Sequence, residues 1–149
     1  MVTIKKISVN NLPNLVYLSY LGDEDFLNKY SPHIEDGATS LIANVNGELA
    51  FIYEMGQKNK LNYYKVVYQK KPIGYFVTIA DDWLYSFSIN KKYRKKDLLI
   101  NWWKQIEKTL KKEFYCCLSE KNEKAIGFLI KNGMKEKERQ NNTVLLVKN

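Results

Sequence analysis

The sequence predicts an α/β (α+β) fold: one domain over residues 1–149 in which a mixed, mostly antiparallel central sheet is flanked by helices. Two stretches carry this expectation. Between Tyr63 and Asn90, three runs rich in aromatic and β-branched residues are separated by short polar turns, the pattern of an antiparallel meander. After the meander, two segments with apolar residues every three or four positions bracket the short apolar run "FYCCLS", which reads as helix, strand, helix.

"VTIKKISV" alternates like a strand, and "NLVYLSYLGDEDFLNKY" and "SLIANVNGELA" read as short helices punctuated by Pro13, Gly22, Pro32 and Gly37. The meander strands are Tyr63 to Gln69, "PIGYFVTIA" and "LYSFSIN", with turns at "KK" and "DDW". Leu98, Leu99, Trp102, Trp103, Ile106 and Leu110 form one stripe, so Lys96 to Lys112 is expected to be a helix burying one face, with Asp97 near its start. In "NEKAIGFLIKNGM", Asn122 is a good N-cap, Ala125, Ile126, Leu129 and Ile130 form the stripe, and Gly133 ends the helix. "MKEKER", the turn "QNN" and "TVLLVK" close the chain as a hairpin.

Composition narrows the class. With 149 residues, 45% apolar and 27% charged, the chain is long and apolar enough for a core. No run of about 18 apolar residues occurs, and "MVTIKKISVNNLPN" lacks a signal peptide's apolar core, so a soluble, cytoplasmic protein with no membrane partner is expected. The heavy use of Lys, Asn, Ile and Tyr suits a phage or a low-GC bacterium. Cys116 and Cys117 are adjacent, which fits neither a disulfide framework nor zinc-ligand spacing, and both are expected to be small buried hydrophobes. No metal-ligand cluster is visible, so no metal is expected.

The net charge of +8 is uneven: residues 1–59 carry −3, the rest +11, and Lys91 to Glu113 alone +6. Charge concentrated on one strand-to-helix unit points to an anionic partner there: cofactor phosphates, nucleic acid or an acidic surface. Lys104, Lys108, Lys111 and Lys112 by themselves read as a solvated helix face.

Two motifs lie on this order of elements, and with it the sequence resembles the GNAT superfamily, the GCN-related N-acetyltransferases. "FSINKKYRKKDLL" is similar to the family's fourth strand and pyrophosphate loop, with Ile89, Tyr93 and Arg94 in register. "LSEKNEKAIGFLIKNGM" is similar to the family's later helix motif through Leu118, Asn122, Ala125, Ile126, Phe128, Lys131 and Gly133. The resemblance implies a GNAT-like acyl-CoA N-acyltransferase fold and acetyl-CoA as co-substrate. It further implies direct transfer of an acetyl group to the amine of a small molecule, peptide or protein. The residues it assigns to the co-substrate are Phe87, Ile89, Arg94, Lys95, Lys96, Asp97, Leu98, Leu99 and Asn122. The physics of the loop agrees, because a helix N-terminus with nearby cations attracts anions.

Three positions depart from the family pattern. Asp97 and Leu99 stand where loop glycines are usual, and Leu129 stands where a tyrosine usually protonates the departing thiolate. Other groups must then do the acid–base work. Asp82, with Asp81 beside it, is the candidate base, although the pair by itself reads first as a plain turn. Tyr115 and Ser119 are the catalytic candidates on the following strand, with Tyr85, Ser86 and Ser88 also near the strand ends. His33, the single histidine, follows Pro32 in an expected loop and reads as incidental.

Beside the acetyltransferase stand a catalytically degenerate binding, regulatory or phage assembly protein, and a nucleic-acid binder using the basic stretch with Tyr93, Trp102 and Trp103. The acidic N-terminal part hints at a cationic acceptor. The oligomeric state stays open, and the aromatics of "LNYYKVVYQ" read as core in preference to a dimer surface.

Overall fold

The computed structural model describes residues 1–23 and 41–149. Strand β1 (Val2–Ile7) leads to helix α1 (Leu12–Tyr20), and α2 (Leu41–Lys58) precedes the meander β2 (Leu61–Tyr68), β3 (Lys71–Ile79) and β4 (Trp83–Ile89). Then follow α3 (Lys96–Thr109), β5 (Phe114–Ser119), α4 (Glu123–Lys131), β6 (Lys135–Gln140) and β7 (Thr143–Lys148). The strands form one mixed sheet in the order β1-β2-β3-β4-β5-β7-β6. Every neighbouring pair is antiparallel except β4 and β5. The expected α/β architecture is therefore observed.

Boundaries moved where local chemistry outweighed pattern. The first meander turn is Gln69–Lys70, one residue before the expected "KK", and both residues take positive φ, as a two-residue hairpin with native strand twist requires. Helix α2 runs to Lys58, well past "SLIANVNGELA", because Ile52 extends the stripe of Leu41, Val45 and Leu49. Helix α3 stops at Thr109, with Leu110 as its C-cap. Strand alternation splits the cysteines: Cys116 is buried, and Cys117, expected to be buried, is exposed on the opposite face. The part of the first helical reading beyond Asp23, together with His33, lies outside the described residues.

Two cores sandwich the sheet. On one face, α3 and α4 bury Trp102, Trp103, Ile106, Ile126 and Leu129 against Val66, Phe76, Leu84, Ile89, Phe114, Cys116, Val144 and Leu146. On the other, α1 and α2 bury Leu12, Val16, Val45, Leu49 and Ile52 against Tyr75 and Val77 of β3. Tyr63 packs beside this second core and Tyr64 and Tyr68 beside the first, so the aromatics of "LNYYKVVYQ" do serve packing.

Candidate functional site

The fold opens where β4 and β5 part. Only Trp83 and Leu84 pair with β5, opposite Tyr115 and Cys116; from Tyr85 to Ile89 that edge of β4 has no ladder partner among the described residues. A bulge starts the divergence. Val77 of β3 faces Ser86 and Thr78 faces Leu84, which leaves Tyr85 as an extra residue, and such insertions bend and twist a strand. β5 meanwhile stays paired with β7 along its length. The result is a crevice between two parallel strand ends, of the kind in which open α/β sheets bind ligands.

The basic loop sits at the end of β4. Lys95 is the N-cap of α3 and makes no side-chain capping bond, so the backbone donors of the first turn point outward beside the exposed Lys95, Lys96 and Asp97. Leu98 and Leu99 pack against the core shared by α3 and α4, so the bulk that replaces a loop glycine is directed inward. Phe87 packs half-buried on Trp102 with ring centroids 5.6 Å apart, Ile89 is buried, and Asn122 caps α4 by accepting from the Ala125 N–H at 3.4 Å.

Arg94 faces protein in place of solvent. Its Nε donates to the Ile89 carbonyl at 2.7 Å and its Nη1 to Asp23 Oδ2 at 2.9 Å. Asn90, which the sequence reading passed over, donates to the Leu18 carbonyl at 2.7 Å and the Leu21 carbonyl at 3.3 Å, while its Oδ1 accepts from the Lys92 N–H. Together these residues bolt the loop to the C-terminal end of α1. A hollow of about 460 Å³ lies on the β2–β3 hairpin side of the loop, lined by Tyr68, Gln69, Lys92, Tyr93, Lys95, Asp97 and Leu98.

Behind the bulge runs a buried polar chain of which the sequence reading named only Ser86. Ser86 Oγ donates to Glu48 Oε1 at 3.1 Å, the Tyr75 hydroxyl lies 2.9 Å from Ser86 Oγ, and the Tyr20 hydroxyl lies 3.3 Å from that of Tyr75. Glu48, Ser86, Tyr75 and Tyr20 are all buried. Burial first, and the Glu48 carboxylate after it, hold the Tyr20 phenol above its ordinary range; Tyr75 is raised by burial, then by Tyr20 and Glu48. Tyr85, the bulge residue, is pushed up to about 12 by burial and by Glu48 and Glu54. The signal for Glu48 was present: it falls on the stripe of Leu41, Val45, Leu49 and Ile52, where an acid needs a partner.

The structure separates the three catalytic candidates. The Asp82 carbonyl accepts from the Tyr115 N–H at the paired end of β4 and β5, away from the crevice mouth. Tyr115 stacks on Trp83 with ring centroids 5.5 Å apart, and its hydroxyl donates to the exposed Glu113. Ser119 stands at the open end of β5, about 13 Å along the strand from Tyr115 at the usual rise per residue. Ser86 and Ser88 point to the face of α1 and α2, where Ser88 meets the Tyr20 hydroxyl. Trp102 and Trp103 are both buried, so neither is available as a stacking surface for nucleic acid. Among the described residues no metal-binding group is present, and no helix is long and apolar enough to cross a membrane.

The fold is that of known N-acetyltransferases. The chain is similar to an acetyltransferase from Thermus thermophilus, at 12% identity with 99% and 96% of the two chains covered and a TM-score of 0.67. It is also similar to the acetyl transferase from Salmonella typhimurium that modifies the N-terminal serine of ribosomal protein L7/L12, at 11% identity, 99% and 94% coverage and a TM-score of 0.65. A third similar structure is the PaiA N-acetyltransferase from Thermoplasma acidophilum in complex with coenzyme A, at 18% identity, 99% and 98% coverage and a TM-score of 0.60. No family model and no curated protein matches the chain.

Proposed function

We propose that this protein is an N-acetyltransferase that binds acetyl-CoA in the β4–β5 crevice and transfers the acetyl group directly to an amine. The divergence of β4 and β5 after Leu84, ending at an uncapped helix N-terminus among lysines, is the observation that carries this reading. A thioester arm needs a slot between strands, and a pyrophosphate needs donors and positive charge at its end. Both lie at the same end of β4.

In this reading Lys95 and Lys96, with the first-turn N–H groups of α3, hold the pyrophosphate. Arg94 supports the loop from behind. The unpaired edge of β4 supplies a backbone N–H to polarise the thioester carbonyl. The amine nitrogen attacks the carbonyl carbon, a C–N bond forms and the C–S bond breaks. Of the two protons that the ammonium loses, one passes through Ser86 to Glu48 and then to solvent, and the other ends on the coenzyme thiolate, relayed by Ser119. Asp82 and Tyr115, at the paired end of the strands, shape the turn and the sheet surface. The negative charge that Glu48 and Glu54 put on Tyr85 at the bulge suits a cationic acceptor on a small molecule, peptide or protein. The free thiols of Cys116 and Cys117 suit the reducing cytoplasm.

Calorimetric titration with acetyl-CoA tests the reading. Micromolar binding, about −8 kcal/mol, weakened in a Lys95→Ala/Lys96→Ala variant, is the expected result. No heat with any acyl-CoA at millimolar concentration would overturn it.

A further inference from the structure

Trp102 and Trp103 are adjacent, both buried, and differ in one respect. The Trp103 indole N–H donates to the Asn132 carbonyl at 3.2 Å, whereas the Trp102 indole N–H is sealed from solvent and has no acceptor among the described residues. Buried donors are almost always paired, and an unpaired one costs roughly as much as a lost hydrogen bond. Trp102 is therefore the anomaly of this core.

Its position gives the anomaly a direction. The ring lies against Phe87, with centroids 5.6 Å apart, and against Phe128, at 6.3 Å. Phe87 belongs to the half of β4 that has parted from β5, and Phe128 to α4. The indole thus lies beside the crevice on the face of α3 and α4. Both phenylalanines are only half-buried, so the Trp102 ring is one side-chain layer from partly exposed surface at the parted half of β4 and at α4. A ligand chain that enters between the strands runs past this donor, and a pantetheine arm carries two amide carbonyls along its length.

We infer that Trp102 is a binding residue for the pantetheine arm, its indole N–H donating to an amide carbonyl of the bound acyl-CoA after a small displacement of Phe87 or Phe128. The inference rests on the acyl-CoA reading above and adds to it a residue that looks, by spacing, like plain core. It gives a use to the one part of the side chain that packing does not need: the bicyclic ring fills the core, and the N–H is left for a ligand.

Trp102→Phe separates the two uses of the ring. It keeps an aromatic in the core and removes the donor, and the buried N–H that it deletes has no partner among the described residues to lose. The probes are acetyl-CoA and adenosine 3′,5′-bisphosphate, which carries the nucleotide without the arm. The expected result is a melting temperature lowered by no more than the smaller ring costs in packing, and roughly 3- to 10-fold weaker acetyl-CoA binding, a range that corresponds to one net hydrogen bond. Binding of the bisphosphate should be unchanged. In ¹⁵N-labelled protein the Trp102 indole resonance, assigned by its absence in the variant, should move downfield on acetyl-CoA addition while that of Trp103 stays. Equal acetyl-CoA affinity in parent and variant, with an unmoved Trp102 resonance, overturns the inference and leaves the acetyltransferase reading standing. Failure of the parent to bind acetyl-CoA overturns both. If Trp102→Phe lowers the melting temperature by more than that, the parent decides alone: a downfield move of its Trp102 resonance on acetyl-CoA addition upholds the inference, and an unmoved resonance overturns it.

Discussion

Glu48 of α2 and Ser86 of β4 meet at 3.1 Å inside the protein, a carboxylate and a hydroxyl joined across the boundary between a helix and the bulged strand of the crevice. The pairing keeps the acid satisfied where the helix would otherwise carry an apolar residue. In the proposed acetyl transfer, Glu48 is the proton acceptor, reached through Ser86 of the parted strand and screened from bulk water. Glu48→Gln preserves an acceptor for Ser86 and removes the basicity. Acetyl transfer should fall by roughly 10²- to 10⁴-fold with acetyl-CoA affinity unchanged. Unchanged turnover in Glu48→Gln would remove Glu48 from the proton path.

Arg94 acts as a bolt, and that separates it from its lysine neighbours. With its guanidinium tied to Asp23 and the Ile89 carbonyl, Arg94→Ala should lower stability by about 1–3 kcal/mol, the range for hydrogen bonds that involve charge. Lys95→Ala and Lys96→Ala lie on exposed positions and should change stability by less than about 0.5 kcal/mol while weakening acetyl-CoA binding. Urea unfolding and calorimetry on the three variants check the division. Equal stability of Arg94→Ala and parent would show that the two bonds do not hold the junction.

Much of this architecture was legible because it is written in local signals. The meander, α3, β5, α4 and the last hairpin each carry periodicity or turn chemistry within a single stretch, and the observed Phe114–Ser119 and Glu123–Lys131 fall where spacing puts them. The site was less legible, because its parts meet only through the fold. Glu48 and Ser86 are 38 residues apart, and Asn90 meets Leu18 across 72. Position along a strand also matters more than residue type: Asp82, Tyr115 and Ser119 looked like neighbours of one crevice, but Asp82 and Tyr115 lie where the strands still pair. Adjacent cysteines share a strand yet face opposite sides, which alternation predicts once the strand is known.

Gly74 tests how closely the crevice depends on the β3–β4 contact. It pairs with Ile89, and a Cβ built there would fall on the Ser88 carbonyl oxygen, 2.9 Å from Ile89 Cδ1 and 3.0 Å from Ile89 Cα. Backbone cannot step aside as a flexible side chain can. Gly74→Ala should therefore cost about 1–3 kcal/mol, the range for overpacking, and should displace the end of β4 and the loop it carries. Thermal melting and acetyl-CoA titration should both worsen. A variant with parental stability and affinity would mean that β4 moves freely at this point, against the tight register seen.

High pH should find the weak side of the polar chain. Tyr20 and Tyr75 are buried and Tyr85 half-buried; burial raises all three phenols, and Glu48 raises each of them further. A folded-state pKa above the unfolded value of about 10 leaves stability intact below pH 10. Above it the unfolded chain loses protons that the folded protein must keep, so stability falls through the window up to about 12, where Tyr85 ionises. Tyr20 and Tyr75 should each steepen that fall by up to about 1.4 kcal/mol per pH unit. Melting temperatures measured between pH 8 and 11.5 should be level at first and then drop. Tyr75→Phe should start lower, having lost its bond to Ser86, and decline less steeply. Parallel curves for parent and variant would show that Tyr75 ionises in the folded protein, and the seal around Glu48 would then be open to water.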